Sequence, residues 1–150
     1  VLNALFGHAG IEWNILEASE AEIAVLKDFI KIYKAHRKLL HSGNIVRADV
    51  GNAYLYGTVS QDKKEALFTY MQLTSVDGFT SVRAQLKGLD LARTYRVKVL
   101  TEISSNDFNH RANPGWWPEV TATGAELAEI GLEAPGLRPE QGFMLHLSAI

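Results

Sequence analysis

The chain has 150 residues, of which 47% are hydrophobic and 21% charged, and carries a formal net charge of −2. That is the composition of an ordinary globular protein; it lacks the strongly basic face that nucleic acid requires, and no apolar run approaches the roughly 18 residues of a membrane span. With no cysteine, disulfides, zinc–thiolate sites and thiol catalysis are excluded together, which fits a reducing, cytoplasmic setting.

The chain opens on apolar residues, Leu2 to Gly7, which read as a strand, and continues through the glycine-punctuated run Phe6-Gly7-His8-Ala9-Gly10-Ile11-Glu12-Trp13-Asn14-Ile15. A long amphipathic helix follows, from Ser19 to His41. Ser19 and Glu22 have the spacing of a capping box. Glu17, Glu20 and Glu22 put negative charge at the helix start, and His36, Arg37, Lys38 and His41 put basic groups near its end, both suited to the helix dipole. Ile23, Leu26, Ile30, Tyr33 and Leu40 form one stripe, widened by Val25, Phe29, Ile32 and Leu39, so the helix packs against more than one thing. Gly43 is placed to end it in the left-handed conformation.

The period then changes to two. Ile45 to Val50 and Ala53 to Ser60 read as strands, with Tyr54 and Tyr56 on one face and Leu55 and Val59 on the other. Ala66 to Thr74 is apolar on both faces, as a central strand is. Asp77-Gly78 marks a turn. Ser81 to Lys87 turns Val82, Ala84 and Leu86 inward; Tyr95 to Ile103 does the same with Tyr95, Val97 and Val99. Asn106 to Pro118 is a loop, Val120 lies in a short strand, and Gly124 to Leu132 reads as a turn and an edge segment. Phe143, Leu145 and Leu147 alternate with Met144, His146 and Ser148 in the last strand. Seven or eight short strands with turns between them predict an antiparallel β-sandwich. A parallel strand needs neighbours, and none precedes the first. The chain therefore reads as mostly β, a sandwich preceded by one strand and one long helix cut from a larger α/β body.

The run Phe6 to Asn14, the segment Tyr33-Lys34 to Leu39-Leu40-His41-Ser42-Gly43, and Val46-Arg47-Ala48-Asp49 resemble the C-terminal third of bacterial α-galactosidases of glycoside hydrolase family 36. Glu65-Ala66-Leu67-Phe68, Leu86-Lys87-Gly88-Leu89-Asp90, Tyr95-Arg96-Val97, Thr123-Gly124-Ala125-Glu126-Leu127, Gly131-Leu132 and Leu137-Arg138-Pro139-Glu140-Gln141 extend the resemblance over nearly the whole chain. It implies an enzyme with an N-terminal β-domain, a central (β/α)8 barrel and a C-terminal sandwich. Residues 1–43 would be the last strand and helix of the barrel, and 44–150 the sandwich. The implied activity is hydrolysis, with retention, of terminal α-galactosides such as melibiose and raffinose, with no metal or organic cofactor. The partners it implies are α-galactoside oligosaccharides and the rest of the same polypeptide; a homo-oligomer stays open beside them, and composition points to neither nucleic acid nor membrane.

A retaining glycosidase needs two carboxyl groups about 5–5.5 Å apart. In the resembled family both are aspartates on earlier barrel strands. None of Asp28, Asp49, Asp62, Asp77, Asp90 and Asp107 lies in the Lys-Trp-Asp context of that nucleophile, so no catalytic residue is assigned and the chain alone is expected to be inactive. Barrel sites form at the C-terminal ends of strands. There, His8, Glu12, Trp13 and Asn14 are candidate sugar-binding residues of an intact enzyme: Trp13 to stack on a sugar face, Glu12 to hold a hydroxyl. The alternative is that His8 and Trp13 pack between strand and helix while Glu12 pairs with a basic group of a neighbouring strand.

His36, His41, His110 and His146 are too dispersed in sequence to predict a metal site. His110-Arg111 with Trp116-Trp117 offers either a sugar-stacking platform or a loop packed over the end of the sandwich or against an adjoining domain. Two other classes of function stay open: a carbohydrate-binding module using Trp116, Trp117, Tyr54 and Tyr56, and an oligomerisation module docking through the helix. The cut also leaves strand edges and apolar surface without partners, so the first residues are expected to swap into a neighbour or fold back on the helix.

Overall fold

The computed structural model describes residues 2–7, 10–48, 50–75, 82–100 and 113–150. Two short 3-10 helices, Leu2–Phe6 and Ile15–Glu17, precede the long helix α1, Glu20–Ser42. Strands β1 (Asn44–Arg47), β2 (Ala53–Val59), β3 (Glu65–Gln72), β4 (Arg83–Ala84), β5 (Thr94–Val99) and β6 (Glu119–Thr123) follow. A short helix α2 (Gly124–Glu129) leads to β7 (Leu132–Glu133) and β8 (Gly142–Ala149).

Six of the strands form one antiparallel sheet in the order β1-β2-β3-β8-β5-β6, and β4 pairs with β7 in a second, two-stranded sheet. β3 and β8 are central and covered on both sides. On one face, Phe68, Tyr70, Phe143, Leu145 and Leu147 pack against Ala84, Leu86, Leu127 and Leu132, carried by the small sheet, its flanks and α2. Tyr70 and Phe143, paired across β3 and β8, stack with ring centroids 5.2 Å apart. On the other face, Leu67 and Met144 meet Phe29, Ile32, Leu39 and Leu40 of α1 together with Leu2 and Leu5. The doubly apolar pattern of β3 thus reports a strand with a sheet layer on one side and a helix on the other.

The predicted strand at Leu2–Gly7 is not formed: residues 2–6 wind into a 3-10 helix. The physical reason is the one that made that strand anomalous. A parallel strand needs neighbours for its N–H and C=O groups; the 3-10 turn satisfies them locally and still buries Leu2 and Leu5 against α1 and β8. The segment folds back on the helix, one of the two outcomes expected for it.

The helix begins as predicted. The Ser19 hydroxyl accepts from the Glu22 N–H, and the Glu22 carboxylate accepts from the Ser19 N–H at 2.9 Å. Its end differs. Gly43 is extended, at φ −80°, not left-handed. Glycine is required there by close approach, because a Cβ would collide with the Thr58 side chain and lie 2.8 Å from the Leu39 carbonyl.

The segment Gly124 to Leu132, read as a turn and edge, contains α2. Thr123 caps it, accepting from the Glu126 N–H at 3.2 Å while Glu126 accepts from the Thr123 N–H at 2.7 Å. Gly131, at φ +72°, ends it by donating its N–H to the Glu126 carbonyl at 2.9 Å. The Asp77-Gly78 turn and most of the Asn106–Pro118 loop lie outside the described residues.

Candidate functional site

Two places gather chemistry among the described residues, on neighbouring parts of α1.

The first is an open, mostly apolar cleft of about 530 Å³ between the N-terminal half of α1 and the segment before it. Gly10, Ile11, Glu12 and Trp13 form one wall; Val25 and Phe29 contribute to the other. Trp13 is 44% exposed and Leu16, just beyond the cleft, 96%. Ile11, Ile15 and Val25 are exposed as well, so the rim is an apolar surface without cover among the described residues. An exposed indole beside one carboxylate can stack on the apolar face of a sugar ring and accept from a hydroxyl; the same surface can be closed by another protein element.

Glu12 and Trp13, consecutive in sequence, both line this cleft. Asn14 is diverted: its side chain accepts from the Leu16 N–H at 3.3 Å and caps the second 3-10 helix. His8 lies outside the described residues, as do His110 and Arg111.

The second is a polar cluster where α1 crosses the sheet. His36 lies four residues from both Ile32 and Leu40, on the buried stripe of α1. Glu65 opens β3, and His146 lies on β8 opposite Leu67, so both side chains rise from the helix-covered face. His36 Nδ1 is 3.1 Å and His146 Nε2 3.0 Å from the same oxygen, Glu65 Oε1. The two rings lie 4.7 Å apart, centroid to centroid. Burial lowers the pKa of His146; the nearby His36 and Lys98 push the same way, against the Glu65 hydrogen bond. Burial thus disfavours the protonated ring, while the contact with Glu65 favours it.

This cluster corrects the reading of the histidines as dispersed. His36 and His146 are far apart in sequence but are joined by the packing of α1 on β3 and β8. Its signal in the sequence was a histidine placed in an apolar stripe, not at the charged helix end to which it was assigned.

Trp116 and Trp117 pack rather than present a platform. Trp116 donates its indole N–H to the Glu133 carbonyl at 2.9 Å, and the Trp117 ring stands against Phe143 at 5.7 Å. The two indole planes are inclined at 54°, so they share no face for a sugar ring. Tyr56 is half-buried, edge-on to Phe6 at 4.9 Å, which leaves only Tyr54 exposed. The coplanar exposed aromatics that a carbohydrate-binding module needs are absent among the described residues.

Residues 53–147 match the model of the glycosyl hydrolase family 36 C-terminal domain. Over 154 aligned positions the chain is 30% identical to an α-galactosidase of Escherichia coli, covering 97% of this chain and 22% of that protein. The α-galactosidase AgaA of Geobacillus stearothermophilus is 30% identical over 100 residues, covering 65% of this chain and 14% of that protein. Among solved structures, a variant of AgaA in complex with raffinose superposes with TM-score 0.78 at 25% identity, covering 98% of this chain and 18% of that one. The α-galactosidase of Lactobacillus brevis superposes with TM-score 0.78 at 24% identity, covering 98% of this chain and 19% of that one. The chain thus spans about a fifth or less of each relative's length.

Proposed function

Because the chain belongs to glycosyl hydrolase family 36 through its C-terminal domain, we propose that it is the closing part of an α-galactosidase that hydrolyses terminal α-galactosides such as melibiose and raffinose with retention. The observation that carries this reading is the superposition on the raffinose-bound enzyme over 98% of this chain, which takes in α1 as well as the sandwich. Residues 1–43, with α1, then belong to the barrel of the whole enzyme, and 44–150 form its sandwich. The exposed apolar rim at Ile11, Trp13, Ile15, Leu16 and Val25 supports this division, since it is surface of the kind another element covers. The rest of the same polypeptide is the cover proposed here; a second copy of the chain is the alternative, and sedimentation of the isolated chain separates the two. The setting proposed is cytoplasmic; no helix among the described residues is long and apolar enough to cross a membrane.

In this reading the chain supplies no catalytic carboxylate. The two aspartates a retaining mechanism needs come from earlier barrel strands. The chain's own described aspartates include Asp62, hydrogen-bonded to Ser60 at 2.8 Å, and Asp90, paired with Arg93 at 3.2 Å, both in polar turns away from the cleft. What the chain supplies is a wall: Trp13 for the apolar face of the galactose ring and Glu12 for a hydroxyl, with the capping Asn14 next in sequence and His8 four residues before Glu12.

The test is kinetic. In the whole enzyme, Trp13→Ala and Glu12→Gln should each raise KM for raffinose while leaving a measurable kcat, because they remove binding rather than chemistry. Unchanged KM and kcat in both variants would remove the cleft from the substrate site. Loss of kcat with unchanged KM in Glu12→Gln would give that carboxylate a catalytic role and contradict the reading.

A further inference from the structure

We propose that His36, Glu65 and His146 form a binding site for one divalent transition-metal ion, zinc by preference, that clamps α1 to the two central strands. The ligand atoms are His36 Nδ1, a Glu65 carboxylate oxygen and His146 Nε2, which all lie within 4.8 Å of one another. Zinc holds imidazole nitrogen and carboxylate oxygen at about 2.0–2.2 Å in a tetrahedron, which places neighbouring ligand atoms roughly 3.3–3.5 Å apart. The two nitrogen–oxygen separations are 3.1 Å and 3.0 Å, so an ion enters with shifts of a few tenths of an ångström along those edges. Two imidazoles and one carboxylate suit zinc and its first-row neighbours rather than magnesium or calcium, which take oxygen ligands.

The placement is also that of a built site. The ligands come from three elements, α1, β3 and β8, each fixed by the core around it, so the geometry does not depend on a loop. The imidazole side chains are 14% and 26% exposed and the Glu65 side chain 41%, which leaves one side open to water as the fourth ligand. Without an ion, each ring donates an N–H to the shared oxygen. With an ion, each ring turns a lone pair inward and carries its proton on the other nitrogen. Lys98, in register with His146 on β5, opposes a cation, so the ion is held by coordination rather than by a negative field. Since the ligands belong to segments distant in sequence, the ion acts as a staple, and its binding adds to folding stability. This inference does not rest on the galactosidase reading, and its test uses no activity.

The experiment is zinc and cobalt titration of the chelator-treated chain. The expected result is one saturable equivalent of zinc by calorimetry, a rise in thermal midpoint, and a cobalt complex with the intense visible bands of four-coordinate geometry. Glu65→Gln keeps the size of the side chain and removes its charge; it and His146→Gln should each weaken binding by at least about 10–100-fold, the range known for groups that merely support a ligand. His41→Gln, on the same helix outside the cluster, should bind as the parent does. Absence of saturable binding in the parent at millimolar zinc overturns the proposal, whatever the variants do. So does binding that survives unchanged in a variant lacking both His36 and His146, since the ion then lies elsewhere.

Discussion

His146 and Glu65 are bonded across a diagonal of the sheet: His146 is in register with Leu67, and Glu65 with Ser148, yet His146 Nε2 lies 3.0 Å from Glu65 Oε1. The carboxylate leans along the strand toward the point where α1 brings His36 down onto the same oxygen. One acceptor thus anchors two ring donors from different elements.

Removing that acceptor leaves both donors to find other partners at the edge of the helix–sheet layer. Glu65→Met, similar in length and without an acceptor oxygen, should lower unfolding free energy by about 1 kcal/mol in urea denaturation with chelator present, the lower end of the penalty because the site is partly open to water. No change would mean that water already serves the rings.

Thr69 sits between β2 and β8 in β3, fully buried, with its hydroxyl unpartnered among the described residues. A buried hydroxyl without a hydrogen bond costs roughly 1–3 kcal/mol. Thr69→Val exchanges it for a methyl of the same shape and should raise the urea midpoint at unchanged slope, by about 1 kcal/mol. A loss of stability would show that the hydroxyl is bonded after all.

Gly57 faces Phe68 across β2 and β3. A Cβ at Gly57 would strike the Phe68 ring, which fills the space a side chain would take, and would lie 2.8 Å from the Leu67 carbonyl. Gly57→Ala should therefore destabilise by roughly 1–3 kcal/mol, as overpacking does, although alanine is otherwise the better strand residue. The double variant Gly57→Ala with Phe68→Leu should recover part of the loss.

The two capping boxes make a pH prediction. Hydrogen bonds from Ser19 hold the Glu22 pKa below its ordinary value, and those from Thr123 do the same for Glu126. Both folded values are depressed, so the stabilisation is present above the unfolded glutamate pKa and is lost as pH falls through the folded one. Carboxyl titration by NMR should give midpoints below the ordinary glutamate range for both. Thr123→Ala should return Glu126 toward that range and cost about 1 kcal/mol through the lost cap.

The layered core was legible from alternation. β3 announced itself as central through apolar residues on both faces, and β5 through strict alternation, because burial there is decided by the pleat alone. In β8, read as alternating, Met144 is buried as well, because α1 covers the second face. The start was misread because Leu2 to Gly7 has strand composition, while strand formation depends on a partner strand, and none among the described residues pairs with it. The helix α2 was hidden by Gly124, read as a turn; the capping spacing of Thr123 and Glu126 carried the true signal. The His36–Glu65–His146 cluster needed the register of β3 against β8 and the crossing of α1, neither of which local spacing encodes. Glu12 and Trp13 were singled out as lying at or past the end of a first strand, which the structure does not form, and the role of Asn14 as a cap follows only from the turn that forms around it.

In the proposed reading this chain completes an α-galactosidase without catalysing the reaction itself. The decisive measurement separates the chain from the rest of the enzyme, mixes the two parts, and follows hydrolysis of a chromogenic α-galactoside. The isolated chain should give no turnover, and mixing should restore it. Turnover by the 150-residue chain alone, or full activity of the remainder without it, would mean that the chain is not the non-catalytic closing part of the enzyme.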